Sequence, residues 1–271
     1  MPKCGLKFVK FATWNVNSIR ARISNVLSWL RAANPNVVML QEIKVVDECF
    51  PRLKIQELGY QCIVHGQKGY NGVAILSNRG FGDVLPYLPG GKEEDARYLE
   101  ATIDDVRVVN IYLPNGNPAN SEKYIYKLSW MKRLKMRAKE LLIDEMPVIL
   151  GGDYNVIPTD DDVYDHNELQ GNAVIKPEIR AAFREILWLG YTDAFRAKNP
   201  TKHRYSYWDY SGRAWQNNRG FLIDHLLLSP QAADRLEDAG IDTNPRGQKK
   251  ASDHTPVWCT LADRSMTKIM P

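Results

Sequence analysis

Six short polar motifs recur across this chain, each set at one end of an apolar run. They are Thr13-Trp14-Asn15-Val16-Asn17, Leu40-Gln41-Glu42-Ile43-Lys44, Ile111-Tyr112-Leu113-Pro114-Asn115-Gly116, Gly151-Gly152-Asp153-Tyr154-Asn155, Ile223-Asp224-His225 and Ser252-Asp253-His254. A carboxylate, amide, phenol or imidazole at a strand end is not needed for packing. Several together point to one site assembled from many strands. Such side chains in one pocket, with no thiolate cluster, suit a hard metal ion and a phosphate ester.

Each motif has its own chemistry and its own ordinary explanation. Asp153 can take a proton from water, and the Asn155 amide can hold that water or an oxyanion. Alternation along a strand would place the two on one side, yet Gly, Asp and Asn also favour plain turns. Glu42 at a strand exit is a fair metal ligand, or a solvated residue paired with Lys44. Asn15 could serve the metal region or satisfy backbone groups. Tyr112 could donate to a phosphate or simply pack. His254 needs a partner to be more than structural. Asp253 is its neighbour on an extended segment and faces the other way, so Asp224 is the better candidate. A buried Asp–His pair would fix the tautomer and raise the histidine pKa.

The segment from Lys202 to Phe221 interleaves Tyr205, Tyr207, Trp208, Tyr210 and Trp215 with Arg204, Asn217, Asn218 and Arg219. Aromatics can stack on bases or fill a gap in a helix, while Arg and amides bind phosphates. Aromatic cross-strand packing is the competing reading.

The elements that must carry these residues are short and partly β-branched: Phe8–Ala12, Val37–Leu40, Val106–Ile111, Val148–Leu150 and Leu226–Leu228. Such runs predict buried strands. Helical patterns fall between them at Ile19–Ala33, Tyr124–Leu142 and Pro177–Leu189. Lys132, Arg133, Lys135 and Arg137 on the second helix predict a solvated face. Many strands with interspersed helices predict two packed sheets covered outside by helices. Gly151-Gly152-Asp153 lacks both the GxGxxG pattern and the Walker lysine, so neither kind of phosphate cradle is expected.

The chain has 271 residues, 44% hydrophobic and 25% charged. That supports a sizeable core. Motifs from both ends belong to one putative site, which predicts one domain spanning 1–271. The net charge of +4 favours an anionic partner only weakly. Cys4, Cys49, Cys62 and Cys259 are widely spaced and predict reduced thiols and a cytoplasmic protein. No run approaches the ~20 apolar residues of a membrane span, and the first residues lack the pattern of a secretory leader.

Taken in this order, the motifs WN, QE, YxPNG, GDYN, ID and SDHxPV resemble those of the exonuclease III family of apurinic/apyrimidinic (AP) endonucleases, within the endonuclease/exonuclease/phosphatase superfamily. The aromatic run RYSYWDY and the following NNRG point to that branch. The resemblance implies an α/β fold, a four-layered αββα sandwich of two packed mixed β-sheets flanked by helices. It implies Mg2+ or Mn2+ at Glu42, with Asn15 and Asp253 close by. Asp153 would activate or orient water, helped by Asn155. His254, oriented by Asp224, and Tyr112 would contact the scissile phosphate. Tyr207, Trp208 and Phe221 would line a pocket for an extruded abasic sugar, with Asn115 and Arg219 on the DNA-binding side. Two positions depart from the family: Ile43, where Thr is common, and Leu222, where Arg is often found. Losing that Arg would weaken DNA contacts or alter the balance of activities.

The implied activity is Mg2+-dependent DNA repair. The enzyme would cut the backbone 5′ to abasic sites in double-stranded DNA, leaving a 3′-hydroxyl and a 5′-deoxyribose phosphate, and would trim 3′ ends as a 3′→5′ exonuclease. The partner is duplex DNA with abasic sites or 3′ ends; no membrane is involved and the protein is a monomer, nucleoid-associated if bacterial. A phosphoesterase acting on inositol phosphates or sphingomyelin, and a non-catalytic DNA-binding or scaffold protein, are the alternatives.

Overall fold

A computed structural model describes residues 7–91 and 95–263. Twelve strands form two six-stranded sheets. The first contains β1 (Phe8–Asn15), β2 (Val37–Gln41), β3 (Gln61–His65), β4 (Val73–Ser77), β11 (Leu236–Ile241) and β12 (Val257–Ala262) in the order β11-β12-β1-β2-β4-β3. The second contains β5 (Phe81–Leu85), β6 (Tyr98–Ile103), β7 (Val106–Tyr112), β8 (Val148–Asp153), β9 (Thr192–Asp193) and β10 (Asp224–Leu228) in the order β5-β6-β7-β8-β10-β9. Each sheet mixes parallel and antiparallel pairs: β1 with β2 and β7 with β8 are parallel, the rest antiparallel.

Alternation along β1 and β2 divides the first sheet into two faces. Val9, Phe11, Val37 and Met39 pack inward on Leu99, Val108, Ile149 and Leu226 of the second sheet. Ala12, Trp14, Val38 and Leu40 turn outward onto helix α1 (Ile19–Ala33), through Val26, Trp29 and Leu30. Ser18 caps the start of that helix and Asn34 its end; Asn34 adopts the left-handed conformation and returns its N–H to Leu30 O, and Pro35 follows. On the far side, Leu150, Val148 and Ile111 meet α3 (Glu122–Leu141) and α4 (Pro177–Leu187) through Met131, Leu134, Ile179 and Phe183. Three short helices, α2 (Arg52–Gln56), α5 (Ala194–Lys198) and α6 (Pro230–Ala233), complete the α-helices among the described residues. The expected αββα sandwich is the observed one.

A polar link joins the sheets beneath the strand ends. Gln41 Nε2 donates to Thr13 Oγ1 at 2.9 Å and to Asn110 Oδ1 at 2.7 Å. Asn110 Nδ2 in turn donates to the carbonyls of Leu40 and Ala74. All three side chains are fully buried, and their mutual hydrogen bonds tie one sheet to the other in a fixed register, while Gln41 Oε1 is left without a partner.

The basic face expected on α3 is only partly solvated. Arg137 reaches Glu100, a carboxylate with no exposure, at 2.7 Å, and Arg107 joins it at 2.9 Å. Cys49, Cys62 and Cys259 are free thiols; Cys4 lies outside the described residues. Among the described residues no helix is long and apolar enough to cross a membrane.

Candidate active site

The strand register brings the motifs together. Asn15 pairs with Gln41 at the exits of β1 and β2, and Tyr112 pairs with Asp153 at the exits of β7 and β8. Asp224 opens the antiparallel β10 directly opposite Asp153. His254 lies in the short bridge Tyr207–His254, just before β12. Gly152 allows this convergence: a Cβ there would collide with the Ile111 carbonyl of the neighbouring strand.

One cavity of about 230 Å³ is lined by Glu42, Tyr112, Asn115, Asp153, Asn155, Asn172, Val174, Tyr207, Phe221, Ile223, Asp253 and His254. Asp153 is its centre. Asp153 Oδ2 accepts from Asn15 Nδ2 at 2.9 Å and faces His254 Nε2 at 3.8 Å, while Oδ1 accepts the Asn155 N–H at 2.9 Å. Burial raises the Asp153 pKa above the usual carboxylate value. The His254 charge and the Asn15 amide oppose this; the Asp224 and Glu42 charges add to it. A carboxylate so destabilised as an anion is a better proton acceptor than an exposed one.

His254 Nδ1 lies 2.8 Å from Asp224 Oδ2, and the same oxygen accepts the Ser206 hydroxyl at 2.6 Å. Burial alone would lower the imidazole pKa; the charges of Asp224 and Asp153 outweigh it and raise the value. His254 is thereby held as an imidazolium, with Nε2 on the cavity side. Asp253 does not support the ring; its Oδ1 accepts from Asn17 Nδ2 at 3.0 Å. Burial, followed by the charges of Glu42 and Asp153, holds the Tyr112 phenol well above its usual pKa, so it stays a hydrogen-bond donor. The Arg97 guanidinium sits 4.6 Å over the Tyr112 ring.

Asn155 reaches the site differently from the strand alternation expected of it. β8 ends at Asp153, and Asn155 takes a left-handed φ of 49°. Its side chain bonds Leu113 O at 3.0 Å and Asn115 Nδ2 at 2.9 Å. One donor and one acceptor position of the amide are thus tied to protein, and the residue lines the cavity.

Glu42 occupies a left-handed φ of 50°. Burial would raise its carboxyl; the Asn15 amide at 2.8 Å and the Lys44 ammonium at 2.8 Å outweigh burial and hold the pKa below the usual value. Asn15 meets both acids through Nδ2, while its Oδ1 accepts the Asn17 N–H at 3.0 Å. It is a donor between two carboxylates, and this places it beside Glu42 and Asp153. Glu42 and Asp253 line the same cavity as Asp153, and their carboxylate oxygens are the donor chemistry that a hard divalent ion takes. Asp153, Asp224 and His254 also offer atoms within 4.8 Å of one another. The Asp224–His254 hydrogen bond already occupies Nδ1 of that trio.

Two expected contacts fall elsewhere. Tyr207 and Phe221 form the aromatic wall, stacked with centroids 5.3 Å apart, and Tyr207 stands edge-on to His254 at 4.9 Å. Trp208 does not line the cavity. Its neighbour on the extended segment faces the cavity, so its own ring turns inward. It is 2% exposed, edge-on to Trp215 at 4.9 Å, and its N–H donates to Asn218 at 3.2 Å. Arg219 is also outside the cavity, paired with Glu168 and with the Tyr164 hydroxyl at 2.8 Å. Asn172 and Val174, which belong to no recognised motif, complete the wall instead.

The family departures do not reach the cavity. Ile43 is fully buried in the outer core of the first sheet. Leu222 is 1% exposed and faces a separate cavity of about 470 Å³ with Phe183, Leu187, Arg196 and His225. In that cavity Asp162 is paired with Arg196, and Asp193 with His225 at 2.9 Å.

Residues 12–254 match the endonuclease/exonuclease/phosphatase family. The chain belongs to that family. Over 263 residues it is 34% identical to exodeoxyribonuclease III of Haemophilus influenzae, covering 92% of this chain and 98% of that one. A solved AP endonuclease from Archaeoglobus fulgidus superposes with a TM-score of 0.90 at 35% identity, covering 94% and 99% of the two chains. The 3′ phosphatase NExo from Neisseria, solved with a product DNA hairpin, superposes with a TM-score of 0.91 at 35% identity and the same coverage. Members of the endonuclease/exonuclease/phosphatase family at this level of similarity thus include exonucleases, AP endonucleases and 3′ phosphatases.

Proposed function

We propose that this protein is a DNA repair phosphodiesterase that hydrolyses the backbone 5′ to abasic sites in double-stranded DNA and trims 3′ ends. The observation that carries this reading is the cavity that places Asp153, a carboxylate–imidazolium pair and a two-ring aromatic wall within one small volume. An inositol phosphate or lipid substrate gives no reason for a stacked Tyr207–Phe221 wall beside the acid–base pair. An extruded, base-less sugar does, because such a pocket recognises shape and apolar surface without reading a base.

The chain's own residues divide the work. Asp153 accepts the proton of the attacking water. Asn15 and the Asn155 N–H aim its two oxygens. The His254 imidazolium and the Tyr112 phenol donate to the phosphate, where negative charge grows in the transition state. Asp224 keeps His254 charged and fixes which nitrogen faces the cavity. Tyr207 and Phe221 exclude water around the sugar. Glu42 and Asp253 would hold a divalent ion, Mg2+ in this reading, which would neutralise charge on the phosphate. Every group invoked comes from one chain, so the scheme needs no second copy.

Product mapping tests the assignment. A duplex with one abasic site, labelled on either end of the damaged strand, should yield a 3′-hydroxyl and a 5′-deoxyribose phosphate. An unsaturated 3′ aldehyde would instead indicate elimination; no lysine is among the residues that line the cavity.

A further inference from the structure

Helix α3 carries a charged residue where its own pattern calls for an apolar one. Its buried stripe runs Tyr124, Lys127, Met131, Leu134, Ala138 and Leu141, the i, i+3, i+4 and i+7 spacing of a core-facing helix. Lys127 has no exposure. A lysine is almost never buried in this way without partners, because its desolvation is costly. Here Nζ donates to the Asn155 carbonyl at 2.6 Å and the Asn115 carbonyl at 3.0 Å. These carbonyls belong to the two loops that follow β8 and β7.

The fold makes room for this reach. Gly116 has a φ of +82°, and a Cβ there would meet Lys127 Cδ at 2.6 Å. The glycine thus serves both the turn and the passage of the lysine stem beneath it. Above the stem, Asn115 Nδ2 bonds Asn155 Oδ1 at 2.9 Å. The Asn155 residue is then held on three sides: its N–H on Asp153, its side chain on Asn115 and Leu113, its carbonyl on Lys127.

We propose that Lys127 is a positioning residue for hydrolysis: by tying the Asn115 and Asn155 carbonyls together under the cavity, it fixes the Asn155 N–H on the Asp153 carboxylate and so aims that carboxylate. The proposal rests on the assignment of Asp153 as the water-activating group. Burial pulls the Lys127 pKa down to about 7, against the attraction of the Asp153 charge. The clamp survives either state, since an amine and an ammonium both have at least two N–H donors for two carbonyls.

The test uses the full chain with Lys127→Met, which keeps the stem and removes both donors, and Lys127→Gln, which keeps a shorter donor. Single-turnover cleavage of an abasic duplex at saturating enzyme should fall about 10- to 100-fold in Lys127→Met, the scale of a misaimed catalytic group. The affinity for the duplex should stay within about threefold, and Lys127→Gln should lie between. If Lys127→Met gives no cooperative thermal transition, Lys127→Gln carries the measurement. A folded variant that cleaves within about threefold of the wild type overturns the proposal, as does an equal loss of rate and affinity. Crystal structures of the variants supply a second reading. The proposal expects the Asn155 N–H to leave Asp153; an unchanged contact overturns it. If the wild type cuts no DNA, the functional reading fails, and the structural comparison still decides the role of Lys127.

Discussion

Asp224 and His254 form a buried pair, Oδ2 to Nδ1 at 2.8 Å, with Asp224 on β10 and His254 thirty residues later beside β12. The pair joins the two sheets at their common edge. It also explains how a fully buried imidazole keeps its proton: the carboxylate supplies the charge that burial would otherwise remove.

If the pair acts as a unit, its loss is not additive. His254→Ala and Asp224→Asn should each slow single-turnover cleavage severely. The double variant should lose far less than the product of the two effects. Multiplicative losses in this cycle would show that Asp224 does not work through His254.

The metal requirement rests on Glu42. EDTA should stop cleavage, and Glu42→Gln should raise the Mg2+ concentration needed for half-maximal rate. Retained cleavage in EDTA would remove the ion from the scheme.

Phe221 and Trp208 should separate into recognition and stability. Phe221→Ala should reduce the preference for abasic over intact duplex more than it changes the thermal midpoint. Trp208→Ala removes a 2%-exposed ring from its packing against Trp215. It should cost about 3–5 kcal/mol of stability. Equal discrimination by Phe221→Ala and the wild type would remove the aromatic wall from lesion recognition.

Much of this site was legible in the sequence because each group stands next to a strand whose apolar run announces it. The expected Ile19–Ala33 helix agrees residue for residue with α1. Asp153, Asp224 and His254 meet as their motifs suggested. What was not legible depended on side-chain direction within irregular segments. Tyr207 and Trp208 are adjacent and equally aromatic, and only the bridges to Phe221 and His254 decide which of them faces the cavity. Asn172 and Val174 arrive through a loop with no motif. Lys127 was hidden among the many Lys and Arg of α3, yet it did leave a signal, a cation in register with the apolar stripe. Ile43 and Leu222 looked like departures at the site and proved to be core residues, because strand-end neighbours face opposite ways.

A second buried pair gives a pH signature in stability. His225 Nδ1 and Asp193 Oδ2 are 2.9 Å apart. Burial would lower the His225 pKa, but Asp193 outweighs it and raises the value above 6.5. Burial would raise Asp193, but His225 outweighs it and lowers the value below 3.8. His225 therefore contributes stability that is fully present below pH 6.5 and fades as pH climbs through its folded value. Asp193 contributes above pH 3.8 and fades as pH drops through its folded value. Thermal midpoints of the wild type and Asp193→Asn should differ most between these limits and converge toward alkaline pH. A constant gap from pH 5 to 9.5 would mean the ion pair adds nothing to the neutral hydrogen bond.

The most direct measurement is single-turnover cleavage of a synthetic abasic duplex with Mg2+ by the wild type and by Asp153→Asn, alongside the affinity of each for the duplex. The wild type should cut 5′ to the lesion. Asp153→Asn should bind with near-unchanged affinity and cleave about 10²–10⁴-fold more slowly, the usual contribution of a general base. Near-normal cleavage by a folded Asp153→Asn protein would contradict the assignment of Asp153 as the group that activates water.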